Sequence, residues 1–265
     1  MSILHMNFRS RCLNGNTDIT LILPDVYRAD PDWFPKNRSF RVLYLLHGSF
    51  GDHSDWTRFT NVERYACEHD LVVVMPSALN TNYVNWGNFG LGHNVFSFFF
   101  EELMPMVENW FPVSRKKEDT FIAGLSMGGR GACLLGFARP EKFGGIFSMS
   151  AAPNDLKQFD PSSRFYPRIK NLIELYQGKE GYLSSPLDLL KTMKEKKEEL
   201  PPLYFYCGKE DPLAYKDFLA LQKYTEELGL SVFYREEEGY GHEWAFWDLC
   251  IRDVIVKIAD EKRTS

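Results

Sequence analysis

Two hydrophobic rhythms alternate along this chain. Asp18 to Pro24 alternates polar and apolar residues, the pattern of a half-exposed strand that its proline ends. Phe40–Leu46 and Leu71–Pro76 are more continuously apolar, as in strands covered on both faces. Asp119–Ala123, Gly145–Ser150, Leu203–Gly208 and Ser231–Arg235 also read as strands. Between them the apolar residues space out at helical intervals. Trp56–His69, Val95–Phe111, Arg130–Ala138, Leu187–Leu200, Ala214–Leu228 and Trp244–Ile258 read as helices, with Pro105 as a kink and Gly229 as a stop. Strands alternating with helices predict an α/β fold, with a mostly parallel central sheet and helices on both faces.

Two stretches fall outside the rhythm. Tyr27 to Ser39, rich in Pro, Asp and Asn, reads as a surface loop. Pro153 to Pro186 mixes prolines, aromatics and charge, and reads as a short cap or insertion over the site. No linker-like segment divides the chain, so residues 1–265 read as a single domain. The aromatic stripe Phe96, Phe99, Phe100 reads as core, and the charged run Lys194–Glu199 as a solvated helix face.

Composition narrows the function. A net charge of -5 argues against a nucleic-acid partner or an anionic membrane surface, both of which need a basic face. The five cysteines are scattered, with neither Cys-x-x-Cys nor a His partner at ligand spacing, so no metal or other cofactor is expected. Reduced thiols and an N-terminus without a signal-peptide layout lead us to expect a cytoplasmic protein. A homo-oligomer is left open.

The chemistry centres on Gly124-Leu125-Ser126-Met127-Gly128-Gly129. A short β-prone run precedes this Gly-x-Ser-x-Gly, and a helical run follows it. Strand, sharp turn and helix form the setting of a nucleophile elbow, which exposes the serine at the carboxyl edge of a sheet. A hydroxyl nucleophile needs a base within hydrogen-bond reach, and that base needs an orienting acid. Beyond the next two strand ends lie Glu210-Asp211-Pro212 and Gly241-His242-Glu243. Ser126, an acid at Asp211 or its neighbour Glu210, and His242 then follow one another in chain order. Oxyanion donors are expected from the backbone N–H groups of Ser49, in His47-Gly48-Ser49-Phe50-Gly51, and of Met127. His47 reads as structural. Trp86, Phe89 and Trp244 are candidates for a flat apolar wall that binds substrate.

These residues carry a resemblance. Leu21-Ile22-Leu23-Pro24, Tyr44-Leu45-Leu46-His47-Gly48 through Asp55-Trp56, the Leu-Ser-Met-Gly-Gly elbow, Gly208 with Asp211, and Gly241-His242 followed by Trp244 and Trp247 together resemble the esterase D group of α/β-hydrolases. The similarity is greatest to its tributyrin esterase and feruloyl (cinnamoyl) esterase branch. The resemblance implies the α/β-hydrolase fold and a catalytic triad of Ser126, Asp211 and His242, with Asp211 as the acid. It also implies Ser49 and Met127 as oxyanion donors. The expected function is a cofactor-free serine carboxylesterase that takes short-chain acyl or hydroxycinnamoyl esters through an acyl-enzyme. The alternatives are an S-formylglutathione hydrolase-like thioesterase, an acyltransferase, and an inactive binding module on the same fold. Formylglutathione hydrolases carry a Ser-Gly-Leu-Thr-Cys type loop where this chain has His47-Gly48-Ser49-Phe50-Gly51, a departure from the thioesterase pattern.

Overall fold

The apolar runs assemble into one sheet because each buries alternate residues on opposite faces. In β3 (Arg41–Leu46), Val42, Tyr44 and Leu46 join one core cluster while Leu43 and Leu45 join the other. The computed structural model describes residues 2–24, 39–87, 93–151, 161–162, 166–167, 170–171, 186–196 and 199–260. The expected 27–39 loop and 153–186 cap fall almost entirely outside them.

The sheet has eight strands in the order β1-β2-β4-β3-β5-β6-β7-β8. They are β1 (Ser2–Ser10), β2 (Gly15–Leu23), β3, β4 (Leu71–Pro76), β5 (Thr120–Leu125), β6 (Gly145–Met149), β7 (Leu203–Gly208) and β8 (Phe233–Glu237). β1 pairs with β2, and β2 with β4, antiparallel; every other pairing is parallel. The expected α/β fold with a mostly parallel sheet is therefore the observed one.

One core face is covered by α3 (Val95–Ser97), α4 (Met104–Trp110), α5 (Met127–Ala138), α6 (Pro186–Lys196) and α7 (Tyr215–Glu227). The other lies under α1 (Asp55–Phe59), α2 (Val62–Glu68) and α8 (Trp244–Asp260).

Three local readings change. β1 was read only for its lack of a signal-peptide layout, yet it is a strand whose alternation places Leu4, Met6 and Phe8 against the core. The single helix expected over Trp56–His69 is two. The Thr60 hydroxyl bonds Trp56 O (2.5 Å) behind it and accepts from Val62 N–H (3.2 Å) ahead of it, so one helix ends and the next begins there. Pro105 does not bend a plain α-helix. A π-helical segment, Phe98–Leu103, joins α3 to α4, and Met104 N–H bonds Phe99 O five residues back. The wider turn absorbs a proline that has no N–H to give.

Two features position the carboxyl edge of the sheet. Gly124 and Gly128 let β5, β3 and α5 meet without side chains. A Cβ on Gly128 would lie 2.5 Å from Leu46 O and 2.6 Å from His47 O; one on Gly124 would lie 2.3 Å from Gly128 O. His47, buried at the end of β3, ties two loops together. Its Nδ1–H donates to Gly48 O (2.7 Å), and its Nε2 accepts from Ala78 N–H (2.9 Å), which fixes one neutral tautomer. Burial holds its pKa below the ordinary histidine range, against the pull of the Gly48 carbonyl. The structural role read for His47 is what these bonds show.

Because the atoms facing Gly128 are backbone, they cannot swing aside. We expect Gly128→Ala to lose about 1–3 kcal/mol in urea unfolding, the usual cost of overpacking. Gly15→Ala, whose Cβ would meet nothing nearer than 3.9 Å, is the control and is expected to change stability little. Equal stability of the two variants would show that the close approach is not tight.

Candidate active site

Ser126 occupies the single residue between β5 and α5. Its φ of 51° and ψ of -118° lie outside the conformations that L-residues favour. The strain, of order 1–3 kcal/mol, is held on both sides. Ser126 N–H bonds Met149 O on β6 (2.8 Å), and Ser126 O accepts the first turn of α5 through Arg130 N–H (3.1 Å). The hydroxyl therefore stands at the positive end of a helix, in a partly buried position.

From β7, Gly208 leads into the loop that carries Asp211; from β8 the chain leads into the loop that carries His242. Ser126 Oγ lies 2.9 Å from His242 Nε2, and His242 Nδ1 lies 2.8 Å from Asp211 Oδ2. The Asp211 carboxylate is acceptor-only when ionised, so the Nδ1–H of His242 donates to it. Nε2 is then the acceptor for the Ser126 hydroxyl.

Asp211 is 2% exposed. Burial alone would raise its pKa. Bonds from His242, the Leu213 N–H and the Ser150 hydroxyl, with the charge of His242, outweigh that and hold the carboxyl below its usual range. Its Oδ1 accepts from Leu213 N–H (2.9 Å) and Ala214 N–H (3.0 Å). Glu210 points elsewhere and is exposed. Its carboxylate accepts from Tyr240 N–H (3.0 Å), and its own N–H donates to Tyr240 O (3.1 Å), which links the acid loop to the histidine loop. The geometry brings Asp211, not Glu210, to His242.

The expected oxyanion donors lie on adjoining chain. Met127 opens α5 directly after Ser126. Ser49 follows Gly48, where a Cβ would come 3.6 Å from Ser126 Cβ. The candidate substrate residues fare differently. Trp86 is half-buried and anchored by its indole N–H to Thr81 O (2.9 Å). Phe89 lies outside the described residues. Trp244 stacks on Phe59 (4.9 Å between ring centroids) and meets Trp56 and Trp247 edge-on. These contacts make its half-buried ring a joint between α8 and α1.

Sequence reasoning missed Ser150, which sits buried at the end of β6 beside Asp211. It also missed three exposed apolar side chains on the site loops. Phe50 is 80% exposed beside Ser49, Leu79 is 57% exposed after β4, and Leu213 is 53% exposed after Asp211. Phe50 N–H donates to Asn80 Oδ1 (2.8 Å), joining the first two loops. A Phe or Leu on a glycine- and proline-rich loop was the available signal.

Among the described residues, no helix is long and apolar enough to cross a membrane.

Comparison with known proteins places the chain in a family and a fold. An acetyl esterase of Caldicellulosiruptor saccharolyticus is 30% identical over 273 residues, covering 96% of this chain and 97% of that protein. The fluorophosphonate-binding serine hydrolase F of Staphylococcus aureus superposes with a TM-score of 0.82 at 27% identity, covering 98% of this chain and 99% of the other. The S-formylglutathione hydrolase (FrmB) of the same organism gives 0.81 at 28% identity, with the same coverage. The family model Esterase, described as "Putative esterase", matches residues 10–191, more than half of the chain. The chain belongs to this Esterase family and is a carboxylic ester hydrolase on the α/β-hydrolase fold.

Proposed function

We propose that the protein is a serine carboxylesterase that hydrolyses small acyl esters through an acyl-enzyme on Ser126. The observation that carries this reading is the strained Ser126 in line with His242 and Asp211 at 2.9 and 2.8 Å. His242 Nε2 takes the hydroxyl proton as Ser126 Oγ attacks the ester carbonyl carbon. The backbone N–H groups of Ser49 and Met127 receive the developing oxyanion. The tetrahedral intermediate collapses, and His242 returns the proton to the departing alcohol. Water then attacks the acyl-enzyme by the same path in reverse roles, freeing the acid and Ser126. Asp211 fixes the histidine tautomer throughout and stabilises the imidazolium.

The acyl group is read as short aliphatic to hydroxycinnamoyl. The acetyl esterase relative supports the short end. The half-buried Trp86 and the exposed Phe50, Leu79 and Leu213 offer apolar surface on the site loops for a larger group. A thioester reading is favoured by one observation, the 28% identity to an S-formylglutathione hydrolase across nearly the whole chain. The same groups would serve it, with a thiol leaving in place of an alcohol. A cytoplasmic setting fits five cysteines that are all free thiols.

Four outcomes test this. Ser126→Ala is expected to lower turnover by up to about 10⁶-fold. A fluorophosphonate should label the wild type on the peptide containing Ser126, and a folded, unlabelled wild-type protein would instead indicate a binding module. Asp211→Asn is expected to cost up to about 10⁴-fold in kcat by favouring the wrong tautomer, and Glu210→Gln far less; the reverse ranking would transfer the acid to Glu210. Across acetyl, butyryl, octanoyl, palmitoyl and feruloyl esters of one alcohol, kcat/KM is expected to decline gradually toward palmitoyl, since each methylene discriminates by only about 1–3 kcal/mol. A maximum at palmitoyl would refute the small-acyl assignment. Preference for S-formylglutathione over every oxygen ester would select the thioester reading.

A further inference from the structure

Behind Asp211 lies a buried polar chain that the triad itself does not include. Ser150 follows β6 with φ at 49°, a left-handed conformation that costs a non-glycine residue strain. Yet the position is fully tied down. Ser150 N–H bonds Tyr206 O on β7 (2.8 Å), and its hydroxyl oxygen accepts the indole N–H of Trp247 on α8 (3.0 Å). An indole can only donate, so the serine hydrogen is left to point away from it. On that side stands the Asp211 carboxylate, whose pKa the Ser150 hydroxyl helps to lower. Ser150 is 2% exposed and Trp247 6%, so water does not compete for these groups. The same Trp247 ring stands edge-on to the His242 imidazole, with centroids 5.1 Å apart and planes at 89°. One side chain thus touches the base directly and the acid through a single hydroxyl.

We propose that Ser150 and Trp247 are positioning residues that fix the Asp211–His242 pair from behind. The proposal rests on the triad reading above. Asp211 is held on one oxygen by the Leu213 and Ala214 N–H groups and on the other by His242, and the Ser150 hydroxyl beside it helps to keep it ionised. The carboxylate then cannot rotate away from His242, and the edge of Trp247 limits tilt of the imidazole. This also gives a physical content to the spacing of His242 and Trp247, which otherwise stood only as a matching motif. A glycine would suit the backbone of position 150 better, so the serine is there for its hydroxyl.

Other titratable groups lie around the pair. Cys207 on β7 faces Asp211, and burial pushes its thiol far above the ordinary range, so it stays neutral. Glu236 on β8 accepts the Tyr215 hydroxyl (2.7 Å). Glu210 and Glu243 accept the Tyr240 and Gly241 N–H groups ahead of His242. None of these contacts depends on Ser150.

The test uses Ser150→Gly, Ser150→Ala and Trp247→Phe in the full-length protein, with a short acyl ester. Ser150→Gly removes the hydroxyl while relieving the backbone, so its fold is protected even where alanine's is not. Losing a hydrogen bond to a charged group is expected to lower kcat about tenfold to a hundredfold, with KM little changed. The acid limb of kcat/KM is expected to move to higher pH in Ser150→Gly. Without the hydroxyl, the whole carboxylate charge faces the imidazolium, which then keeps its proton longer. Trp247→Phe is expected to shift both readouts in the same direction by less, because the serine remains. Ser150→Gly and Trp247→Phe proteins that melt like the wild type, and keep its kcat and its acid limb, would overturn the proposal while leaving Ser126 labelled by a fluorophosphonate. Loss of that label in the wild type would overturn the triad reading, and this one with it.

Discussion

The molecule depends on how closely the start of α5 approaches the carboxyl ends of β3 and β5. The carbonyls of Leu46 and His47 sit where a side chain on Gly128 would be, and Gly128 itself sits where one on Gly124 would be. Only with both residues bare can the helix begin one residue after the strand. That single-residue turn leaves Ser126 no ordinary conformation, and so presents its hydroxyl above the sheet instead of within it. The strain is a consequence of the close approach, not a separate device.

Once the serine is fixed, everything else must come to it across loops, and each loop is locked to its neighbour by a few directed bonds. His47 joins the ends of β3 and β4, and Asn80 holds Phe50. Glu210 and Tyr240 exchange bonds between the loops that carry Asp211 and His242. Backbone N–H groups are the partners in all three cases. A loop pinned through its main chain keeps its course whatever its side chains do, which leaves exposed residues such as Phe50, Leu79 and Leu213 at liberty to meet a substrate.

The division between what could be read from sequence and what could not follows the range of the interactions. Two-sided burial imposes its own pattern, so β3, β4, β5, β6 and β7 were legible to within a residue or two as apolar runs. Ser126, Asp211 and His242 were legible because loop chemistry at strand ends follows chain order. β1 alternates Leu4, Met6 and Phe8 with His5, Asn7 and Arg9, and this one-sided pattern on an edge strand is a weaker signal than a run that is apolar on both faces. β8 was placed two residues early, since Glu236 and Glu237 look like loop. In the fold Arg235 pairs with Glu237 and with Asp253 of α8, and the edge strand tolerates the charge. The choice between Asp211 and Glu210 needed the direction of two adjacent side chains, and the aromatic joint of Trp244 needed a contact with Phe59, far away in sequence. Neither leaves a local signature.

The distribution of strain supports the same account. Among the described residues, non-glycine residues with positive φ occur at Phe50 after β3, at Leu79, Asn82 and Tyr83 after β4, at Ser126 after β5 and at Ser150 after β6. The two others, Asn14 and Asp70, lie in the β1–β2 turn and ahead of β4. Left-handed residues thus gather at the carboxyl edge, where four successive parallel strands hand over to functional loops. At about 1–3 kcal/mol each, six such residues would together rival the whole stability of an ordinary domain. They can persist only because the core beneath is apolar on both faces of every central strand, from Leu43 and Val73 on one side to Tyr44 and Val74 on the other. The two-faced core that made the strands readable is therefore also what lets the chain hold a serine, and the residues that aim it, in conformations they would not adopt alone.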